Sequence, residues 1–123
     1  MPCILIESEN DICGTKREVQ KLCTTAAPVH VLLTVDKWHS KTGWIHGGRS
    51  EKWLNHWYRI IDDFASVYGE VSGVVGAIVA ERGDDNRLRL FAHRLNARDR
   101  PPTVADFTSL LERDFAIDPA PGA

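Results

Sequence analysis

The strongest pattern in the sequence is an apolar stripe at helical spacing through residues 51–68. Ser50 stands just before it, at a position suited to a helix N-cap. The stripe predicts an amphipathic helix with an unusually aromatic buried face, and such a helix must pack against another element. The β-branched runs at 29–35 and 73–80 therefore predict a sheet beneath it. The stripe comprises Trp53, Leu54, Trp57, Ile60, Ile61, Phe64 and Tyr68.

Shorter patterns on either side supply the other elements. Apolar runs predict strands over residues 3–7, 29–35, 73–80 and 88–95, and the turn chemistry of 83–86 makes the last two a hairpin. Thr15 and Glu18 have the spacing of a capping box, which predicts a short helix that ends before Pro28. Residues 36–50 are left as a long loop.

A last helix is predicted after the Pro101-Pro102 pair. Thr103 and Asp106 can cap it, and the apolar residues that follow recur at helical spacing. The expected fold is α/β, with a mixed sheet of about four strands and three helices in the order β-α-β-α-β-β-α. At 123 residues we expect one domain over 1–117 and a flexible tail over 118–123. The last helical stripe comprises Val104, Phe107, Leu110, Leu111 and Phe115.

Composition narrows the class of protein. Fifteen basic against 17 acidic residues give a net charge of −2, so no global attraction to nucleic acid or anionic membranes is expected. No apolar run approaches the roughly 20 residues of a membrane span, and no basic leader is evident, which predicts a cytoplasmic protein without a membrane partner. The three cysteines form no disulfide framework, and a zinc site built from them with His30, His39 or His46 lacks closely spaced ligand pairs.

Carboxylates gather where the first two strands end. Glu7 and Glu9 project from one side of the first strand, while Ile4 and Ile6 project from the other. Asp36 ends the next strand, so the three acids can share one sheet edge and one divalent cation. We expect Glu7, Glu9 and Asp36 as metal ligands, with Mg²⁺ or Mn²⁺ as the ion. The simpler alternative is that these charges only mark where the strands leave the core.

The run Ile-Leu-Ile-Glu-Ser-Glu-Asn at residues 4–10, followed by a helix and a β-rich segment to about residue 35, resembles the later half of the PD-(D/E)XK, restriction-endonuclease-like nuclease superfamily. The resemblance assigns Glu7 to the motif acid and puts Glu9 where the family has a lysine, so Lys21 on the following helix takes the lysine role. It implies divalent-metal phosphodiester hydrolysis, with Glu7, Glu9 and Lys21 as catalytic residues. Because the match covers only part of the family core, the expected protein is a nucleic-acid-binding module that is catalytically degenerate or completed by a partner chain.

All four tryptophans fall between residues 38 and 57. Trp53 and Trp57 lie on the helical stripe and are expected in the core, whereas Trp38 and Trp44 either cover the sheet or face a partner. The alternative function is a non-catalytic interaction or homodimerisation domain, which uses these two tryptophans and the last helix around Phe107 and Leu111. The residues expected to contact nucleic acid or a partner are Trp38, Trp44, Arg49, Arg87 and Arg89.

Overall fold

The computed structural model describes residues 3–96 and 102–114. The expected tail over 118–123 and the expected helical position Phe115 lie outside these ranges. Within them the fold is α/β, with a mixed sheet of six strands and two α-helices. The strands are β1 (Ile4–Glu9), β2 (Val29–His39), β3 (Gly43–Trp44), β4 (Val74–Gly83), β5 (Arg87–Arg94) and β6 (Thr108–Asp114); the helices are α1 (Lys16–Thr24) and α2 (Glu51–Tyr68).

The sheet has the order β1-β2-β4-β5-β6, and β3 pairs with β2 off this path. Strands β1, β2 and β4 are parallel, and β5 and β6 are antiparallel additions on the β4 side. Each parallel connection passes through one helix, because parallel neighbours need a crossover. The expected strand–helix–strand unit at the start of the chain and the hairpin at 73–95 are confirmed in outline.

Both α-helices pack on one face of the sheet. Trp53 and Trp57 are buried in this core, as expected from the stripe. The indole Nε1 of Trp57 donates to Oγ1 of Thr15 at 2.8 Å, which satisfies its polar atom inside the core. The buried cluster comprises Ile12, Val19, Leu22, Cys23, Leu32, Trp53, Leu54, Trp57, Ile61, Val75, Ala77, Val79 and Leu95.

The expected capping box at Thr15 does not form. Thr15 has helical backbone angles, and its side chain makes no cap hydrogen bond to α1. Its hydroxyl instead donates to the carbonyl of Ile12 at 2.9 Å and accepts from Trp57. The hydroxyl of Thr15, which the sequence pattern predicted to cap α1, therefore bonds to Trp57 of α2 instead.

The expected last helix is wrong. Thr103 and Asp106 do form a capping box, but it opens a single 3-10 turn (Val104–Asp106) that is followed by strand β6. Strand β6 pairs antiparallel with β5, with a register shift between Leu90 and Phe91. An unpaired β5 edge would leave backbone groups without partners, and pairing with β6 satisfies them. The chain therefore has two α-helices in the described residues rather than three.

The expected loop over residues 36–50 is also partly wrong. Strand β2 continues to His39, and the two-residue strand β3 turns back on it with Trp38 opposite Trp44. The strand count rises from four to six because this small hairpin and β6 add to the four strands expected. Among the described residues, none of the helices has the length and apolar character needed to cross a lipid bilayer.

Candidate functional site

The parallel strands β1, β2 and β4 end at a common carboxyl edge, where open α/β sheets place their ligand sites. Acidic residues mark each of these strand ends on the face that carries the helices. Glu9 ends β1, Asp36 lies near the end of β2, and Glu81 stands beside Asp36 on β4. This edge is the candidate site. Some of its side chains accept hydrogen bonds from the backbone of the adjoining loops, and others are exposed to solvent.

Glu7 and Glu9 lie on the same side of β1, as expected, and both are half-buried. Oε1 of Glu9 accepts a hydrogen bond from the backbone N–H of Asp11 at 3.1 Å. Glu9 therefore helps to shape the turn after β1. The side chains of Ile4 and Ile6 are exposed on the opposite face of the strand, which also agrees with the expected alternation.

Asp36 is buried, and both of its carboxylate oxygens accept backbone hydrogen bonds. Oδ1 accepts from the N–H of Lys37 at 2.8 Å. Oδ2 accepts from the N–H of His46 at 3.2 Å and from the N–H of Gly48 at 2.7 Å. The carboxylate therefore closes the loop that follows β3 and holds it against the end of β2.

The expected catalytic lysine lies on helix α1. Helix α1 begins near the carboxyl edge and runs back toward the start of β2, and Lys21 is exposed in its last turn. The carbonyl of Lys21 accepts hydrogen bonds from the hydroxyls of Thr24 and Thr25 at the end of the helix. Within the described residues, the side chain of Lys21 makes no hydrogen bond or ion pair with Glu7, Glu9 or Asp36, and its catalytic role stays a prediction.

A partly buried ion pair occupies the next position along the edge. Nε of Arg49 donates to Oε1 of Glu81 at 2.7 Å, and the guanidinium carbon of Arg49 lies 3.6 Å from the ring centroid of Phe91. Burial raises the pKa of Glu81 above its ordinary 4.5, and the hydrogen bond and charge of Arg49 act in the opposite direction. Arg49, expected as a contact residue, is committed to this internal pair.

The other expected contact residues form a second cluster around the β2–β3 hairpin. Trp38 and Trp44 are half-buried, with ring centroids 6.4 Å apart. Arg89 donates to Oδ2 of Asp85 at 2.9 Å and lies over the Trp38 ring at 5.2 Å. Arg87 approaches Glu112 on β6 at 3.7 Å. These contacts join the hairpin to the β4–β5 turn.

Three side chains from the loops that follow β1 and β3 come close together near this edge. Among the described residues, the group of potential metal donors whose ligand atoms lie within 4.8 Å of one another comprises Asp11, Cys13 and His46, all exposed. Desolvation, then the negative charge of Asp11 and its hydrogen bond to the thiol, raises the pKa of Cys13 above 9.0. Glu7, Glu9 and Asp36 form no such group in the described part of the chain.

A zinc site that joins the cysteines to His46 was not expected from their spacing, and neither Asp11 nor Glu81 was among the predicted site residues. Asp11 and Cys13 are two residues apart, a short spacing that a search restricted to cysteine and histidine pairs passes over. His46 is distant in sequence, and its place depends on the loop that Asp36 closes. No protein-family model, curated protein or solved structure matches the chain.

Proposed function

We propose that the protein is an interaction domain that pairs with a second copy of itself through the face of the sheet opposite the helices. The observation that carries this proposal is the uncovered apolar surface of β1, β2, β4 and β5. Side chains on that face alternate with buried ones along most of β2 and β4, and the side chains on that face of all four strands are half-buried or exposed. Neither α-helix packs over it, and within residues 3–96 and 102–114 the segment from Pro102 to Thr108 reaches it only at the hollow beside Gly76 and Ala92.

The centre of this face is apolar and uncharged. The register aligns Leu33 with Ile78, and Ile78 with Ala92 on β5. Toward the carboxyl end of the parallel strands it aligns Val35, Ala80 and Leu90. Exposed large apolar side chains rarely cluster on a monomer unless they serve an interface. We call this surface the open face: Ile4, Ile6, Val29, Val31, Leu33, Val35, Val74, Gly76, Ile78, Ala80, Leu88, Leu90, Ala92 and Leu111.

The size of the open face suits a dimer. Five strands about 4.8 Å apart and roughly seven residues long at about 3.3 Å each cover roughly 550 Å² in projection, and the accessible area is larger because side chains stand out from the sheet. A standard interface takes about 800 Å² from each partner. The face also has a hollow of about 410 Å³, lined in part by Gly76, Ile78 and Ala92, that an apolar side chain of a second copy can enter.

The charged side chains of the open face lie at its two ends, outside the apolar centre. Lys37, Arg82 and Arg113 lie in one row at the carboxyl end of the parallel strands, and Arg94 lies toward the other end. A two-fold axis between the two sheets, parallel to them and perpendicular to the strands, puts the two basic rows at opposite ends of the interface, each beside Arg94 of the other copy. Their long side chains then reach water at the rim while the apolar centres meet, which is the usual anatomy of an interface.

Light scattering after size-exclusion chromatography, over a concentration series, tests the proposal. We expect the wild-type chain to be a dimer, and we expect Leu33→Glu to weaken it by about 100-fold or more, since a charge at the centre would be buried without a partner. Val67→Glu is the matched control because Val67 is 70% exposed on α2, away from the open face. It should leave the dimer intact.

Three results would contradict the proposal. If the wild type is a monomer at about 100 μM, its free energy of dimerisation is weaker than about 5.5 kcal/mol, too weak for the proposed interface. A dimer unaffected by both Leu33→Glu and Ile78→Glu would place the interface elsewhere. A dimer weakened by Trp44→Ala but not by Leu33→Glu would assign it to the tryptophan hairpin.

A further inference from the structure

We propose that Asp11, Cys13 and His46 form a binding site for a zinc-like transition-metal ion, independent of self-association. The three side chains offer one carboxylate oxygen, one sulfur and one imidazole nitrogen, with ligand atoms within 4.8 Å of one another. Nitrogen and sulfur donors select Zn²⁺ or Co²⁺ over Mg²⁺, which prefers oxygen. The site thus differs in residues and in metal from the one expected at Glu7, Glu9 and Asp36.

The backbone around each donor is held in place. The N–H of Asp11 donates to Glu9 at 3.1 Å, and the N–H of Cys13 donates to Oδ1 of Asp11 at 2.9 Å. Ile12, between the two donors, is fully buried in the core. The first two donors therefore stand on a short 3-10 turn whose backbone is anchored while their side chains face solvent.

His46 is anchored from both sides. Its N–H donates to Oδ2 of Asp36 at 3.2 Å, and its carbonyl accepts from the indole of Trp53 at 2.6 Å. Asp36 also binds the N–H of Gly48. In this way the loop presents an exposed imidazole beside the turn at residues 11–13. Glu9 and Asp36 are positioning residues for this site rather than ligands.

The geometry requires only small side-chain movements. Zinc bonds of about 2.0–2.3 Å put tetrahedral donors roughly 3.5 Å apart, so the three donor atoms must close by about 1 Å. Exposed side chains can make that adjustment by rotation while the anchored backbone stays in place. Metal binding replaces the thiol proton of Cys13, which leaves to solvent, and the fourth position stays open to water.

Titration of the full-length chain with Co²⁺, followed by absorption, tests the site. A thiolate ligand gives a near-ultraviolet charge-transfer band, and we expect this band to saturate at one Co²⁺ per chain and to disappear on addition of Zn²⁺. Excess Mg²⁺ should not remove it. Because the readout reports the sulfur–metal bond directly, it is independent of any catalytic activity and of the dimer.

Matched variants identify the ligands. Cys13→Ser should abolish the band, whereas Cys3→Ser, at another exposed cysteine, should keep it. His46→Gln should weaken Co²⁺ binding by about ten-fold or more, whereas His56→Gln should change it by less than about two-fold. Circular dichroism of the metal-free variants establishes that each is folded, which the exposed positions of Cys13 and His46 favour.

Two results would overturn the proposal. One is the absence of a charge-transfer band at about 1 mM Co²⁺. At that concentration, even a site with a binding free energy of only about 4 kcal/mol would be half occupied. The other is a band that survives Cys13→Ser or depends on His56 rather than His46. Loss of the dimer in Leu33→Glu with the band retained would show that the two proposals stand separately.

Discussion

The half-buried guanidinium of Arg49 and the buried carboxylate of Glu81 form an ion pair, with Nε and Oε1 2.7 Å apart. The pair joins the segment before α2 to the end of β4, and the ring of Phe91 covers the guanidinium. Because Glu81 is almost completely buried, removing Arg49 would leave its carboxylate away from water and without its ion-pair partner, with the charge of Arg89 as the remaining cationic neighbour. The stability of the fold therefore depends on Arg49 at any pH at which Glu81 is ionised.

Arg49→Met should lower the free energy of unfolding by about 3–5 kcal/mol at neutral pH, because it breaks a buried pair by removing one partner. Urea titrations of wild type and variant measure this. Arg87→Met is the control, since Arg87 and Glu112 form an exposed pair at 3.7 Å whose loss should cost less than about 1 kcal/mol. Equal losses in the two variants would contradict the assignment of Arg49.

The effect of Arg49→Met should depend on pH. The pKa of Glu81 is raised above 4.5 in the fold, so the folded state binds more protons and the contribution of Glu81 to stability falls as pH rises through the raised pKa. Arg49 lowers that pKa, and its removal raises it further. The loss of stability in Arg49→Met should therefore grow with increasing pH above 4.5 and be small below it. A pH-independent loss would point to packing alone.

Gly48→Ala should destabilise the loop that carries His46. Gly48 has a φ of 45°, and a Cβ there would run into the indole of Trp44. Gly43 is the matched control because its φ is 75° but a Cβ would meet nothing within 4 Å. We expect about 1 kcal/mol for Gly43→Ala from backbone conformation alone, and about 2–4 kcal/mol for Gly48→Ala. Thermal or urea unfolding separates them, and equal costs would contradict the predicted clash.

Cys23 should be inert toward thiol reagents in the folded protein. It is 6% exposed on the core side of α1, and burial raises its pKa to about 11, so almost no thiolate is present at pH 8. Cys3 and Cys13 are both exposed. A disulfide-exchange reagent at pH 8 should therefore label two thiols quickly and the third only after unfolding in urea. Rapid labelling of all three would show that α1 opens readily.

The nuclease function implied by the sequence resemblance stays a prediction with a direct test. If Glu7 carries metal-dependent hydrolysis, cleavage of single- or double-stranded DNA or RNA should require Mn²⁺ or Mg²⁺ and should be lost in Glu7→Ala. Glu70→Ala, at an exposed glutamate after α2, is the control and should cleave like the wild type. Cleavage that persists in Glu7→Ala would indicate a contaminating enzyme.

Sequence patterns predicted the helix-covered half of the fold better than its edges. The stripe from Trp53 to Tyr68 extends over about four turns, long enough for its period to be unambiguous, and α2 follows it closely. Residues 104–115 gave a shorter stripe. Adjacent apolar residues such as Leu110 and Leu111 fit a helix or a bulged strand equally well. The segment forms a strand because it pairs with the edge of β5. This pairing is a tertiary contact that the spacing of apolar residues does not reveal.

The candidate site shows the same division. Alternation along β1 correctly placed Glu7 and Glu9 on one side, whereas Asp36, expected to end the second strand, lies three residues before the end of β2. The sequence could not show that the oxygens of Asp36 are taken by backbone N–H groups, because those groups belong to a loop folded back from ten and twelve residues away. The role of an acid at a strand end depends on such distant donors as much as on its own position.

The sheet separates two surfaces that differ in chemistry. The loops leading into α1 and α2 present Asp11, Cys13 and His46 on the helix side, while Leu33 and Ile78 face the other way from the middle of the strands. A ligand on one side therefore does not compete for space with a partner on the other. Because the sheet lies between the two surfaces, substitutions on one surface can be made and measured without disturbing the other.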